Sequence, residues 1–171
     1  MTRPLIRIHS ASDLSAARTA ELQALFEAQF AQSSFQWAAP QWQVLTTIDD
    51  ELVACVRLFE RIITAAGQPL RVGGVGGVMT MPAWRRRGLA SATLRRAAEF
   101  LRAELRAEFA LLLCRDEVAQ VYAKLGWELV DGPTAFDQPG GRATYPRRTM
   151  ILAFGDATWP HGPIDLCGLP W

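Results

Sequence analysis

The sequence predicts an α/β (α+β) fold in a single domain, and three observations support this prediction. The chain has 171 residues, 50% of them apolar, which is enough for one domain to bury about two thirds of its unfolded surface. Segments rich in β-branched and aromatic residues alternate with segments whose apolar residues recur at helical spacing. No repeat and no boundary interrupts this alternation, so residues 1–171 are expected to form one domain.

A strand and a helix begin the predicted fold. The apolar residues of 5–8 form a short strand-like start. Ser10, Ser12 or Asp13 can cap the helix that follows, because each side chain offers an oxygen to the free N–H groups of a first turn. Apolar residues recur at roughly helical spacing over 14–30, which predicts a scaffold helix.

An irregular loop over 32–43 follows this helix. It is rich in Ser and Gln but also carries Phe35, Trp37 and Trp42, so it is too aromatic for a plain linker. Loops of this kind often line a cleft, which makes Gln36 and Trp37 candidate substrate contacts. The alternative, given equal weight, is that the tryptophans pack over the edge of the core.

A three-stranded antiparallel meander is predicted next. Its strands are rich in β-branched and aromatic residues, and acidic or Gly/Pro-containing turns separate them. The strands and turns alternate over 44–49, 49–51, 52–64, 66–69 and 70–81.

Four glycines interrupt the third strand of the meander. Gly73, Gly74, Gly76 and Gly77 are poor strand residues, and in a strand interior such glycines mark a bulge or the close approach of a ligand to the backbone. The alternative is tight packing against a neighbouring helix.

The second half of the chain alternates helices and strands. An apolar stripe predicts a long helix, the run FALLLC predicts a strand buried on both faces, and Gly126 is placed to end a short helix that Asp116 or Glu117 starts. The predicted elements are a helix over 88–106, a strand over 109–114, a helix over 116–125, a strand over 127–130, a Gly/Pro-rich loop over 131–146, a strand over 147–154 and a tail without periodicity over 155–171.

Charge and cysteine content exclude several functional classes. A net charge of +1 gives no general attraction to nucleic acid or to an anionic membrane. The three cysteines have neither a disulfide pattern nor the spacing of a zinc site. No apolar leader or membrane-spanning run is found, so we expect a cytoplasmic protein without a metal.

The junction between the third meander strand and the long helix is the most informative stretch. It contains the hexapeptide Arg85-x-x-Gly88-x-Ala90 within a run of three arginines. The first N–H groups of a helix have no internal partners, and small residues let these amides approach a ligand closely. Together with the arginines, this pattern favours a pyrophosphate. It is neither a Walker P-loop nor a dinucleotide fingerprint.

The strand-to-helix motif resembles that of the GNAT superfamily of N-acetyltransferases, whose motif Q/R-x-x-G-x-G/A binds the pyrophosphate of acetyl-CoA. The downstream run AQVYAKLGW, 119–127, resembles the second signature of that superfamily. The resemblance covers 52–154 and implies a CoA-binding core there, with 155–171 as a C-terminal tail. It also implies a mixed sheet of about six or seven strands, flanked by helices and splayed between its fourth and fifth strands.

The resemblance assigns roles residue by residue. It places backbone groups of the strand end against the pantetheine arm and acetyl carbonyl of acetyl-CoA, wraps the following segment around the pyrophosphate, and makes Tyr122 the general acid. A phenol can protonate the departing CoA thiolate, since its pKa is about 10; the alternative for Tyr122 is a core tyrosine. The implied cofactor-binding residues are Val78, Met79, Thr80, Arg85, Arg86, Arg87, Gly88, Leu89 and Ala90.

A closer resemblance is to the aminoglycoside 2′-N-acetyltransferases. It runs through 57–71, 84–92, 122–127 and 132–134 and ends with the tryptophan at position 171. In that family acidic side chains, joined by a terminal Trp carboxylate, hold the cationic antibiotic. The corresponding acceptor contacts here are Gln36, Trp37, Gly76, Gly77 and Trp171.

This chain departs from that family at each acidic position. The loop offers Gln and Ser residues, the acid of the fourth strand falls on Gly76, and Leu169 and Pro170 precede the final tryptophan. The expected water-bridged base is therefore missing. Backbone-held water, Glu60 and the Trp171 carboxylate are the open alternatives for accepting the proton of the amine.

These features predict an acetyl-CoA-dependent N-acetyltransferase that moves an acetyl group directly to a primary amine of a small molecule in a ternary complex. An aminoglycoside-like amino sugar is one candidate acceptor. The alternative is a non-catalytic acyl-CoA-binding or regulatory module of the same fold, suggested by the missing strand acid. Neither a nucleic acid nor a membrane is expected as a partner, and a homodimer is left open.

Overall fold

The computed structural model describes residues 3–171 and contains, within that range, ten strands and three α-helices. Single 3₁₀ turns, Ala11–Asp13 and Pro82–Trp84, precede the first and second helices. In chain order the elements are β1 (Leu5–Ser10), α1 (Ala16–Gln29), β2 (Trp42–Ile48), β3 (Glu51–Ala65), β4 (Gln68–Thr80), α2 (Leu89–Ala103), β5 (Phe109–Cys114), α3 (Asp116–Ala123), β6 (Glu128–Leu129), β7 (Thr134–Gln138), β8 (Gly141–Thr144), β9 (Arg148–Ala153) and β10 (Ile164–Asp165).

The strands form one mixed sheet, which confirms the predicted fold class. The main path runs β6-β9-β5-β4-β3-β10-β7-β8, and β2 followed by β1 extends the sheet from the first part of β3. The predicted meander is β2, β3 and β4, paired antiparallel through turns in which Asp49, Asp50, Ala66 and Gly67 all have positive φ. Two pairs are parallel, β4 with β5 and β10 with β7.

The predicted splay lies between β4 and β5. These strands pair over only four positions, 72–75 with 109–112, and then separate. Beyond that point β4 continues to Thr80 and β5 to Cys114. The free inner edges of the two strands leave a wedge whose backbone groups have no strand partner on that side, and this wedge is where the candidate site lies.

Opposite faces of the sheet hold different helices. Leu45 and Cys55 pack in a cluster with α1, whereas their chain neighbours Val44 and Val56 pack in a cluster with α2. Because successive strand residues point to opposite faces, α1 and α2 lie on opposite sides. Residues of α3, including Tyr122, join the α2 cluster. The tail covers part of the α1 side, where a separate cluster includes residues from β3, β5, β9 and the segment 157–171.

Three sequence predictions about local structure are wrong. Ser15, rather than Ser10, Ser12 or Asp13, caps α1 by accepting a hydrogen bond from the Arg18 N–H, because the earlier residues belong to β1 and the 3₁₀ turn. The segment 131–146 is not a loop but contains the β7–β8 hairpin. The tail adds β10, so the sheet has ten strands instead of six or seven.

Trp171 fixes the tail against the centre of the sheet. Its side chain is 3% exposed; the indole N–H donates to the Leu111 carbonyl at 3.0 Å, and the ring stacks on Phe59 with the centroids 5.8 Å apart. Arg61 holds the segment before it by donating to the carbonyls of Leu166 and Leu169. Trp171 thereby contacts β5 and β3 and lies across a third strand, β4.

Glycines are needed in β4 where neighbouring side chains leave no room for a Cβ atom. A Cβ on Gly73 would meet the Leu101 side chain of α2 at 2.6 Å, as the helix-packing alternative predicts, whereas a Cβ on Gly74 would meet the Trp171 ring at 2.5 Å. Gly77 has φ +54 and lies in a β-bulge, since one residue of β3, Val56, opposes two of β4, Gly77 and Val78. The bulge prediction is confirmed, and tight packing explains Gly73 and Gly74.

We expect Gly74→Ala to lower the free energy of unfolding by about 1 to 3 kcal/mol, because overpacking against a buried rigid ring forces the tail to shift. The unfolding midpoint in urea measures this. Gly140→Ala is the matched control, since nothing lies within 4 Å of its Cβ position, and we expect it to change stability by less than about 0.5 kcal/mol. Equal midpoints for the two variants would show that Trp171 does not press on β4.

Candidate active site

The junction of β4 and α2 forms a cleft of about 450 Å³, here called the junction cleft. It is lined by eight of the nine residues that the sequence assigns to the cofactor: Val78, Met79, Thr80, Arg85, Arg86, Gly88, Leu89 and Ala90. Arg87 is the exception, because its guanidinium lies over the Trp84 ring, 4.8 Å from the centroid.

Gly88 sets the geometry of the helix start. It is the N-cap of α2 with φ +75, a left-handed conformation that favours glycine. It offers no capping side chain, and nothing lies within 4 Å of its Cβ position. The first hydrogen bond within the helix joins the Ala92 N–H to the Gly88 carbonyl at 3.0 Å. The N–H groups of Leu89 and Ala90 therefore remain available to an anion.

The Thr80 side chain adds a hydroxyl group to the lining of the junction cleft. Its Oγ1 is buried and has no hydrogen-bond partner among the described residues, although its carbonyl accepts a hydrogen bond from Arg85 Nε at 3.2 Å. Buried hydroxyls are normally hydrogen-bonded, so an orphan that lines a cleft favours a polar ligand there. The free helix amides, the arginines and this hydroxyl together fit a phosphate-bearing ligand.

A second space of about 460 Å³, here called the splay cavity, occupies the wedge between β4 and β5. Among its lining residues are Trp37, Gly76, Gly77, Tyr122 and Trp171, four of which the sequence assigns to the acceptor and one to catalysis. The loop over 32–43 thus lines a cleft as predicted, and two of its aromatic residues also pack on one another: the rings of Phe35 and Trp37 lie 6.0 Å apart.

Gln36 does not reach the splay cavity. It lies in a neighbouring space of about 480 Å³, here called the side cleft. The Gln138 side chain, at the end of β7, accepts from the Gln36 N–H and donates to the Gln36 carbonyl. The assignment of Gln36 to the acceptor contacts therefore finds no support in the geometry, because its backbone is tied to β7 outside the wedge.

The junction cleft and the splay cavity meet. Gln29, Val78 and Arg115 line both spaces. A ligand held at the helix start can therefore extend along the end of β4 into the wedge, where Tyr122 lies. This continuity joins the two halves of the site that the sequence indicates separately.

Tyr122 is a partly buried tyrosine whose hydroxyl has no hydrogen-bond partner among residues 3–171. Its ring packs edge-on against Trp127, with the centroids 6.2 Å apart. Burial, and to a lesser extent the neighbouring Cys114 and Tyr145, raises the pKa of Tyr122 well above its usual value, and Arg115 opposes this shift. The phenol therefore keeps its proton at neutral and moderately alkaline pH.

Trp171 explains why no acid stands at position 76. A Cβ on Gly76 would lie 2.7 Å from the backbone carbon of Trp171 and 3.3 Å from its oxygen. The space of a strand carboxylate is thus filled by the tail. Glu60, one of the alternatives for the base, pairs instead with Arg71 at 2.7 Å and does not line the splay cavity.

Among the lining residues that sequence reasoning missed are Gln29, Arg115, Tyr145 and Arg147. Gln29 ends α1, Arg115 precedes α3, and the other two precede β9. They are distant in sequence and belong to no motif, and Tyr145 lay in a segment predicted as a loop. Only the folded sheet brings them to one wedge.

None of the helices within residues 3–171 combines the length and apolar character needed to span a bilayer. Over the same range, no group of three or more His, Cys, Asp or Glu side chains is placed to hold a metal ion.

The two tyrosines of the chain give a direct pH test. Burial also raises the pKa of Tyr145, to about 12, so we expect little tyrosinate absorbance in the folded protein at pH values where the unfolded chain ionises, near about 10. Because the folded state favours the neutral phenols, stability is unaffected below the unfolded pKa and falls as the pH rises above it. Tyr145→Phe isolates Tyr122, and a folded-state midpoint near the unfolded value would contradict its burial.

Three solved bacterial structures have a similar fold. The chain matches Escherichia coli ElaA with a TM-score of 0.65 at 16% identity, covering 88% of this chain and 99% of that one. The Escherichia coli GNAT family N-acetyltransferase YhbS in complex with CoA matches with a TM-score of 0.62 at 17% identity over 98% and 91% of the two chains. A Brucella melitensis GNAT family acetyltransferase in complex with acetyl-CoA matches with a TM-score of 0.60 at 18% identity over 94% of each chain.

No curated protein sequence shows significant similarity to the chain. The model of one family, described as an acetyltransferase (GNAT) domain, matches residues 15–130. This match spans α1 through β6 and includes both the junction cleft and Tyr122. The chain therefore belongs to the GNAT family of acetyltransferases.

Proposed function

We propose that this protein is an acetyl-CoA-dependent N-acetyltransferase that moves an acetyl group directly to a primary amine of a small molecule in a ternary complex. The observation that carries the proposal is the continuity of the junction cleft with the splay cavity through Val78. One ligand can occupy the first space and present its end in the second, beside Tyr122. A separate molecule can reach the same point from the far side of the wedge.

The junction cleft is suited to the CoA end of the donor. The free N–H groups of Leu89 and Ala90 and the guanidinium groups of Arg85 and Arg86 match a pyrophosphate, and Thr80 offers an unpartnered hydroxyl. Two of the structural neighbours were crystallised with CoA or acetyl-CoA. Arg87, packed on Trp84, is assigned a supporting role in this cleft rather than a ligand contact.

Tyr122 is the proposed general acid. Acetyl-CoA supplies a thioester, whose C–S bond breaks as the amine nitrogen forms the new C–N bond. Tyr122 donates its proton to the departing sulfur and recovers one from solvent, so the phenol is unchanged after a cycle. Because burial keeps Tyr122 protonated, the acid form persists at the alkaline pH values that favour a neutral amine.

The proton that leaves the attacking nitrogen needs an acceptor. The geometry argues against Glu60, because it forms an ion pair with Arg71 and does not line the splay cavity. The groups that remain are the main-chain oxygen of Trp171, which lies against Gly76, and water bound by the unpaired backbone of β4. We assign the proton to water held at this point, where Trp171 and the wedge backbone provide its hydrogen bonds.

An aminoglycoside-like amino sugar, the acceptor that the closer resemblance suggests, requires countercharge. A polycation in a partly desolvated cavity loses about 1.5 to 3 kcal/mol for each missing charged hydrogen bond. The splay cavity has no acidic side chain among its lining residues. This same absence favours the alternative of a non-catalytic acyl-CoA-binding module, which would bind CoA and release no free thiol with any amine.

Acetyl-CoA binding and thiol release separate these possibilities. A ligand at a hundred times its Kd adds about 2.7 kcal/mol of stability, so we expect acetyl-CoA to raise the melting temperature and a panel of small amines, including kanamycin, to release free CoA thiol. A melting temperature that acetyl-CoA leaves unchanged would overturn the donor assignment. Binding without thiol release from any amine would favour the non-catalytic module.

We expect Tyr122→Phe to lower kcat by on the order of a hundredfold or more, because the thiolate then leaves without a proton donor. The melting-temperature shift with acetyl-CoA should persist, since the ring and its packing are retained. Tyr145→Phe is the matched control: it removes a second hydroxyl from the same cavity, and its kcat should stay within a few fold of the wild type. An unchanged rate for Tyr122→Phe would remove the residue from its role.

A further inference from the structure

We infer that the acceptor is an aromatic primary amine that also carries a carboxylate, which Arg115 and Arg147 hold at the mouth of the splay cavity. This inference rests on the proposed function and specifies the substrate class of the same site. It assigns acceptor specificity to two arginines on the β5 side of the wedge, Arg115 directly after β5 and Arg147 directly before β9, which are neighbours because Cys114 pairs with Arg148.

Six aromatic side chains line the splay cavity. The rings that line it belong to Phe30, Phe35, Trp37, Tyr122, Tyr145 and Trp171. Several of them are held by one another: Phe35 lies edge-on to Trp37 and, at 5.0 Å, to Phe136 behind it. Rings that are fixed in this way form preorganised faces on which a planar apolar group can stack.

The charged side chains of the lining all have one sign. Arg115 and Arg147 line the splay cavity, and no Asp, Glu or His does so. Asp116, which follows Arg115 in the sequence, forms an ion pair with Arg148 instead. Neither Arg115 nor Arg147 has an ion-pair partner among the described residues. Both are exposed, which places unpaired guanidinium groups at the mouth.

The guanidinium group of Arg57 adds positive charge beside the splay cavity. Arg57, 5% exposed, lies under Gly77 and over the Phe26 ring at 3.7 Å, and it donates only to the Ala38 carbonyl. Burial lowers its pKa to about 10, so it remains charged at neutral pH. The acid of the adjoining side cleft, Glu27, accepts a hydrogen bond from Gln23. Among residues 3–171, Arg57 forms no ion pair with a carboxylate.

These observations select one acceptor chemistry. A polycation would meet two guanidinium groups and no acidic side chain among the lining residues, whereas a neutral aromatic amine would stack on the rings but leave both guanidinium groups unpaired. An aromatic amine with a carboxylate at its other end suits both the aromatic walls and the arginines at the mouth. Guanidinium groups bind carboxylates through charge-assisted, bidentate hydrogen bonds. The amine end then enters the wedge beside Tyr122.

Three amines on one frame test the inference. They are phenethylamine, 4-(2-aminoethyl)benzoate and 4-(aminomethyl)phenethylamine, which differ only in the neutral, anionic or cationic group at the far end of the ring. With saturating acetyl-CoA and thiol release as the readout, we expect kcat/KM for the benzoate to exceed that for phenethylamine by roughly tenfold or more. The dication should be the poorest acceptor.

Substitutions at the mouth should change this order. Arg147→Gln should lower kcat/KM for the benzoate by roughly tenfold while the KM for acetyl-CoA stays at its wild-type value, because Arg147 does not line the junction cleft. Arg147→Glu should reverse the preference toward the dication. Arg7→Gln is the matched control, since Arg7 is an exposed arginine of β1 that lines neither space, and it should retain the wild-type order.

The outcomes separate the inference from the function on which it rests. Failure of acetyl-CoA to raise the melting temperature would overturn the proposed function itself. Acetyl transfer that prefers the dication, or an order that Arg147→Glu leaves unchanged, would overturn the inference alone. If none of the three amines is acetylated, calorimetry of 4-(2-aminoethyl)benzoate with the CoA-saturated protein decides: binding that Arg147→Gln weakens supports the inference, and absence of binding overturns it.

Discussion

The packing of Trp171 on β4 is the constraint on which the architecture of the site depends. The residue bonds to β5 through its indole N–H, stacks on β3 through Phe59 and fills the space above Gly74 and Gly76. It therefore joins three strands at the level where β4 and β5 separate. The tail closes one side of the wedge, and the strand can place only glycines beneath it. The width of the splay cavity and the absence of a strand acid thus have the same cause.

Backbone groups distinguish the junction cleft, whereas side chains distinguish the splay cavity. The junction cleft depends on backbone amides, a left-handed glycine and a helix start, all within a short contiguous segment. The splay cavity depends on side chains from α1, the following loop, α3, the segment before β9 and the tail. Backbone groups recognise the part of a ligand that every member of a family shares. Side chains can differ from one chain to the next, and here they supply aromatic faces and positive charge.

This difference also explains how much the sequence could predict. The fold class and the meander followed from local patterns, because each pattern lies within a few turns of chain. The splay and nearly all residues of the junction cleft followed from the resemblance to a known family that two short motifs indicate. Arg115 and Tyr145 could not be found, since their proximity arises only when the sheet is complete. The hairpin over 134–144 was hidden by its Gly and Pro content, although Pro139 and Gly140 mark a tight turn between strands. Gly76 was interpreted as a missing acid, whereas the fold requires a residue without a Cβ there.

The position of β10 has a consequence for the order in which the molecule forms. This strand pairs antiparallel with the end of β3 and parallel with β7, and the pairing of Ile164 with Ala65 joins segments that lie 99 residues apart in the chain. Closing loops of that length costs more entropy than forming the β2–β3–β4 meander or the β4–α2 junction. The cleft at the helix start can therefore form early from local contacts. The aromatic cavity is completed only when the tail docks, which makes selectivity for the acceptor the last property that the folding chain acquires.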